Sequence, residues 1–428
     1  MKVWIVNHYA IPPTEAGGTR HYGLAAELIS RGHQVTIIAS SFDHNTRREL
    51  RLNRSETGRL VDETGVPFLW LKTPAYKGNR RRVWNMLVFA ARVLFGRDIR
   101  NLGHPDVVFG STLTLFAAFA ALRLARRLRV PFVLEVRDVW PQTLIDFGVS
   151  RFHPIVLLFG VIERYLYRNS VAVISLLPGA VKHIRTNGAV DQRIEWLPNG
   201  LDFSLIPEPT FPKIDDSFCI TYAGSLCRAN SLKTVIDAAT LLQKRNREDV
   251  RFRLVGTGPL KARLVQIARD RGLRNIQFAG PVTKHEVYAE LSGAHALVLA
   301  LQNVPLYRFG TSLNKLYDYM AVARPILFAG NSYNNAVAHS CCGLVVPPED
   351  PEAMANAVEQ LAAMTTEQRW QMGLRGRKYV EQNHDFARLA ERLDGFLADV
   401  VNRTDRTATS ADRNSNEKCD AVTAEVHD

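Results

Sequence analysis

The strongest constraint on this chain is a pattern that runs twice. In the first series VWIVNHY (3–9), QVTIIA (34–39), DVVFG (106–110), FVLEV (132–136) and VAVIS (171–175) read as strands, and amphipathic stretches separate them. Between the first two, Arg20–Arg31 places Leu24, Ala25, Leu28 and Ile29 on one stripe, and Gly32 stands where it can end the helix. The pattern then breaks at PNGLDFSLIPEPTFPKIDD (198–216), which holds four prolines and no period and so predicts a linker. A second series follows with CITYAG (219–224), RFRLVG (251–256), NIQFAG (275–280), HALVLA (295–300), PILFAG (325–330) and GLVV (343–346). Its helices are expected over Leu232–Lys244, Leu260–Arg271 and Asn314–Ala323.

Strand–helix alternation predicts a parallel sheet covered on both faces. Two such units predict an α/β protein with two Rossmann-like domains, 1–202 and 203–385, and a cleft beyond the carboxyl ends of their strands. The length of 428 residues also exceeds what one core usually supports. Helical stretches are expected at about 351–363, 366–382 and 386–401, the last packing back on the first domain. The polar, aperiodic 402–428 reads as a disordered tail.

Residues 1–200 hold 27 Lys and Arg against 15 Asp and Glu, whereas the remaining residues balance at 27 of each. The whole net charge of +12 therefore belongs to the first half and points to an anionic partner there. The five cysteines (219, 227, 341, 342, 419) form no zinc-like pairs and read as thiols of a reducing compartment. MKVWIVNHY leads straight into a strand, so neither a signal peptide nor a membrane span is expected, and the predicted location is cytoplasmic.

The basic excess concentrates in Lys72–Arg100, with eight basic residues and one acid, Asp98. Arg80, Arg81, Arg82 and Arg92 interleave there with Trp84, Phe89 and Phe95, as in a helix lying on an anionic membrane surface; a core helix with a solvated basic edge is the alternative. The segment is too apolar for phosphate tracking and no nucleic-acid module accompanies it, so no nucleic-acid partner is expected. Gly17 and Gly18, followed by Arg20 and a helix, form a loop that suits an anion, though not the GxGxxG dinucleotide fingerprint.

GGTRHYGLAAELISRGHQV (17–35), LEVRDVWPQ (134–142), WLPNGLD (196–202), LVGTGPL (254–260), IQFAGPV (276–282), SLNKLYDYMAVARPIL (312–327) and GLVVPPEDPEAMANAV (343–358) occur in collinear order. Together they resemble retaining, GT-B-fold glycosyltransferases of family 4. They are most similar to the bacterial branch that builds O-antigen, capsule or colanic-acid-type polysaccharides and includes fucosamine transferases. The resemblance implies a nucleotide-sugar donor, UDP by preference, an undecaprenyl-diphosphate-linked acceptor at the inner membrane face, and no metal cofactor.

On that reading Gly17, Gly18, Arg20 and Gly256 belong to the donor side, and Thr311, Ser312, Asn314 and Lys315 open a helix toward the donor diphosphate. Asp318 lies one turn on, where a carboxylate can accept ribose hydroxyls; a solvated Lys315 and a helix-supporting Asp318 are the alternative. Many relatives carry two glutamates with seven residues between them, whereas this chain has Gly310 and Asp318 at those positions. Ser225 and Asn230 stand where Arg and Lys are common, leaving Arg228, and more weakly Lys233, as phosphate ligands. Arg137-Asp138 replaces a His-Asp pair. Asp138 either orients or deprotonates the acceptor hydroxyl or pairs structurally with Arg137, while Arg137 can also neutralise acceptor phosphate. His8, at the end of the first strand, is the remaining catalytic candidate, with a packed strand-end histidine as the commoner alternative. A catalytically silent relative and a nucleotide-sugar epimerase are the competing functions.

Overall fold

A computed structural model describes residues 1–15, 17–44, 46–212 and 217–404. The first sheet comprises β1 (Lys2–Val6), β2 (Gln34–Ser40), β3 (Gly58–Glu63), β4 (Val66–Leu71), β5 (Val107–Ser111), β6 (Phe132–Val136), β7 (Ala172–Ser175) and β8 (Arg193–Trp196). Their order is β8-β7-β6-β5-β1-β2-β4-β3, parallel throughout except for the β3–β4 hairpin. The second sheet comprises β9 (Phe218–Ala223), β10 (Val250–Val255), β11 (Ile276–Ala279), β12 (Ala296–Ala300), β13 (Ile326–Ala329) and β14 (Gly343–Val346), in the order β11-β10-β9-β12-β13-β14.

The central strands are near-continuous apolar runs because helices cover both of their faces: every residue of β5, β6 and β12 is buried. In each sheet the chain runs outward from the first strand on one side and then resumes on its other side. The reversal falls between β1 and β5 and between β9 and β12, and ligands bind beyond the strand ends at such switch points. β1 stops at Val6 rather than running on to residue 9, because the Asn7 side chain accepts the Tyr9 backbone N–H (3.1 Å) and turns the chain.

The domains are tied at the PNG turn. Asn199 donates its backbone N–H to Ser312 Oγ (2.8 Å) and its side-chain amide to the Ser312 carbonyl (2.7 Å). The chain then returns: Leu201 pairs with His384 and Phe386 through backbone hydrogen bonds, and Phe386, Leu389, Leu393, Phe396 and Leu397 complete the core of the first domain. This last helix runs through residue 404, so 402–404 do not belong to a tail; 405–428 lie outside the described residues. Four cysteines are free thiols, and Cys419 falls outside the described residues.

Candidate active site

A pocket of about 400 Å³ opens at the switch point of the first sheet, with Gly17, Gly18, Arg82, Arg137, Asp138 and Trp140 among its walls. The glycine loop is held from below by a buried network that spans more than a hundred residues of sequence. Glu135, wholly buried on β6, accepts from Arg20 (2.7 Å) and His21 (2.8 Å), both at the start of helix Arg20–Ser30. Asn7 donates to the other ring nitrogen of His21 (2.8 Å), which leaves that histidine neutral, and burial lowers its pKa in the same direction. Against its burial, the hydrogen bond from His21 and the charges of Arg20 and Arg137 hold Glu135 well below the usual carboxylate range.

Arg20 is thereby corrected as a donor ligand. Its remaining N–H groups donate to the carbonyls of Leu197 (2.9 Å) and Pro198, so it joins the glycine loop to the hinge. His8 is corrected as a proton carrier. It is buried beside Phe89 and donates Nε2–H to Asn85 Oδ1 (2.8 Å), whose amide is committed to Thr73 and Pro74. Burial lowers its pKa to about 3, leaving a neutral ring with a buried Nδ1 that has no partner.

Arg137 and Asp138 reach the pocket from the end of β6, and no ion pair joins their side chains among the described residues. Burial raises the Asp138 pKa, with the Arg137 charge opposing, which moves the carboxylate toward the range useful in a general base.

The second domain approaches the glycine loop of this pocket at Asn314, the first residue of helix Asn314–Ala321. A Cβ on Gly18 would lie 3.2 Å from Asn314 Nδ2 and 4.0 Å from Arg137 Nη2, so three separately chosen candidates from both domains converge at one point. No side chain caps the start of this helix, and its first N–H groups are available to an anion. Lys315, largely buried, donates to Tyr222 Oη (2.8 Å) and packs over Gly224, and burial lowers its pKa to about 8. Asp318 accepts from Tyr288 Oη (3.0 Å).

Residues around the donor side also brace the loops that carry them. Thr311 is bracketed by Asn334, which accepts its N–H (2.7 Å) and donates to its carbonyl (2.9 Å). Ser312 is taken by Asn199. Gly256, at φ +132°, leaves no room for a Cβ against the Gly224 carbonyl. Asn230 braces its own loop by donating to the Ser225 carbonyl (2.7 Å). Lys233 pairs with Asp237 (2.7 Å) on the surface and lines the same groove as the exposed Arg228, together with Gln302 and Glu349. Among the described residues no cluster of three or more His, Cys, Asp or Glu side chains is arranged to hold a metal.

Helix Asn79–Phe95 divides the basic segment into two faces. Arg80, Arg81, Trp84 and Phe95 are exposed, the last two at 59% and 71%. Phe89 is fully buried and Arg82 turns into the pocket, which corrects both as outward residues; Arg92 donates to the Thr57 carbonyl (3.1 Å). No helix among the described residues is long and apolar enough to cross a membrane.

Residues 16–200 match the glycosyl transferase 4-like domain, and residues 217–364 match glycosyl transferases group 1. The chain belongs to the GT-B-fold, family 4-type glycosyltransferases. A protein of Escherichia coli (strain K12) named as a colanic acid biosynthesis glycosyl transferase is 24% identical over 267 residues, 59% of this chain and 64% of that relative. Among solved structures, sucrose-phosphate synthase from Thermosynechococcus elongatus is similar with a TM-score of 0.72 at 14% identity, over 93% of this chain and 98% of that one. HepE of Anabaena, solved in complex with UDP, is similar with a TM-score of 0.66 at 13% identity, over 93% and 100%. These structural likenesses concern the fold.

Proposed function

We propose that the chain transfers a sugar from a nucleoside diphosphate sugar, UDP-linked by preference, to a lipid-linked saccharide in bacterial surface polysaccharide synthesis. The observation that carries this reading is the meeting of Gly18, Arg137 and Asn314, which brings an anion-suited loop, a cation and a free helix start to one point of the cleft. The leaving diphosphate gains charge in the transition state, and Lys315, Arg228 and aligned N–H dipoles answer it without a metal. Asp138 takes the acceptor proton, and Arg137 offsets the charge beside it. Retention of configuration follows the family, by attack on the same face as the leaving group. The colanic acid relative supports the polysaccharide assignment, and the UDP complex of HepE supports the nucleotide.

The outward face of Asn79–Phe95, with Arg80, Arg81, Trp84 and Phe95, holds the protein to the anionic cytoplasmic membrane surface where an undecaprenyl-diphosphate acceptor resides. Thermal shift with UDP, GDP, ADP, CMP and NAD, in EDTA and in magnesium, tests the donor half. A ligand at 100 times its Kd adds about 2.7 kcal/mol, so UDP stabilises selectively in EDTA if the reading holds. Silence toward every nucleotide contradicts it. Flotation with phosphatidylglycerol vesicles at low salt tests the membrane half, and failure to float removes it.

A further inference from the structure

A second cavity, of about 570 Å³, opens beyond the carboxyl ends of β12 and β13 and shares no wall with the pocket of Gly18 and Asp138. The loop after β12 brings Asn303, Pro305, Tyr307 and Arg308 to it, and the loop after β13 brings Asn331 and Tyr333. Its size is that of a small-molecule site, and none of its walls enters the transfer chemistry.

The two loops are fixed to each other. Tyr333 donates its backbone N–H to the Tyr307 carbonyl (3.1 Å), and Asn334, the next residue, brackets Thr311. Both tyrosines therefore keep their places, with Tyr333 65% exposed. Among the described residues, the phenol groups of Tyr307 and Tyr333 and the amides of Asn303 and Asn331 have no hydrogen-bond partner in the protein. Arg308 is the one charged wall, and its guanidinium is taken by the nearly buried carboxylate of Asp146 in the first domain (2.7 Å). The cavity is thus close to neutral and favours an uncharged ligand over a phosphate or a nucleotide. An uncharged ligand that suits ring faces, and amides that both donate and accept, is a polyhydroxylated one whose C–H edges stack on the rings.

We propose that this cavity is a saccharide subsite, holding sugar residues of a glycan beyond the one that reacts. The Arg308–Asp146 pair joins it to helix Gln142–Asp146, which follows Asp138 and Trp140 in the chain. A glycan leaving the cleft past that helix meets Tyr307 and Tyr333. The subsite makes the protein select an acceptor that already carries several sugars over one that carries a single sugar. Assigning the bound glycan to the acceptor rests on the transferase reading, whereas the affinity of the cavity for saccharide does not.

Calorimetry with mannopentaose, maltopentaose and chitopentaose, each beside its own monosaccharide, tests the cavity directly. At least one pentasaccharide is expected to bind at least tenfold more tightly than its monosaccharide, with UDP present or absent. Tyr333→Ala is expected to lose at least tenfold of that affinity, and Tyr333→Phe, which keeps the ring, less than threefold, both with Tm unchanged. Binding by none of the three, a monosaccharide bound as tightly as its pentasaccharide, or equal affinity in Tyr333→Ala overturns the proposal. So does a loss of UDP-glucose affinity relative to UDP in Tyr333→Ala, which makes the cavity the pocket of the donor sugar. Absence of UDP binding strikes the nucleotide-sugar reading alone, because the pentasaccharide comparison is read equally well without UDP.

Discussion

Gly18 of the first domain and Asn314 of the second face each other so closely that a Cβ on the glycine would stand 3.2 Å from the asparagine amide. A branched side chain there intrudes on the space between loop and helix start while leaving both cores untouched. Gly18→Val is expected to weaken UDP binding at least tenfold with little change in Tm, read by calorimetry and thermal shift on the same sample.

Lys315 gives the donor site a pH dependence whose sign is fixed. Burial lowers its pKa from 10.5 to about 8, so the free protein loses this charge as pH rises through that value. UDP affinity is expected to fall above about pH 8, and Lys315→Arg, which keeps its charge, to flatten that fall. The stability term runs the other way. Between about 8 and 10.5 the unfolded chain binds the extra proton, so this group's contribution to folding stability rises with pH across that window.

Glu135 is the anion between two buried partners, Arg20 and His21. Glu135→Gln leaves the Arg20 guanidinium buried without its counter-charge and is expected to cost about 3–5 kcal/mol in the first domain by denaturant titration. Retention of full stability would show that the Leu197 and Pro198 carbonyls suffice for Arg20.

Gly310 stands where many relatives place a glutamate, yet its φ is +101° and a Cβ would lie 2.6 Å from Asn334 Oδ1. Restoring the glutamate therefore does not restore a donor contact. Gly310→Glu is expected to cost about 1–3 kcal/mol and to lower transfer, measured by thermal denaturation beside a turnover assay.

Much of this was legible in the sequence, for identifiable reasons. The doubly wound pattern is carried by continuous apolar strands and strong helix periods, and helix Leu232–Lys244 falls on its expected bounds. The glycine loop and Arg137-Asp138 are local features at strand ends, and Gly18 lies against Asn314 and Arg137. Contacts between distant segments were not legible. Nothing in the spacing of Arg20, His21 and Glu135 announces that they form one buried network, and Ser312 reads as a donor ligand until Asn199 is found holding it. The two faces of Asn79–Phe95 carried a signal that composition obscured. Arg82, Asn85, Phe89 and Val93 repeat at three and four residues, with a lone amide among apolar and basic neighbours, which marks the inward stripe. The β3–β4 hairpin turns at Thr64-Gly65, both at positive φ, where β-branched Thr64 gave no usual Asn-Gly or Asp-Gly signal in the sequence.

The most direct test of the central claim is product formation. Purified protein in EDTA is given a panel of UDP-sugars and an undecaprenyl-diphosphate-linked saccharide in phosphatidylglycerol vesicles, and the lipid product is weighed by mass spectrometry. The account predicts the addition of one sugar residue from one UDP-sugar, reduced at least a hundredfold in Asp138→Asn. UDP binding with no sugar added from any donor, or undiminished transfer by Asp138→Asn, would contradict it.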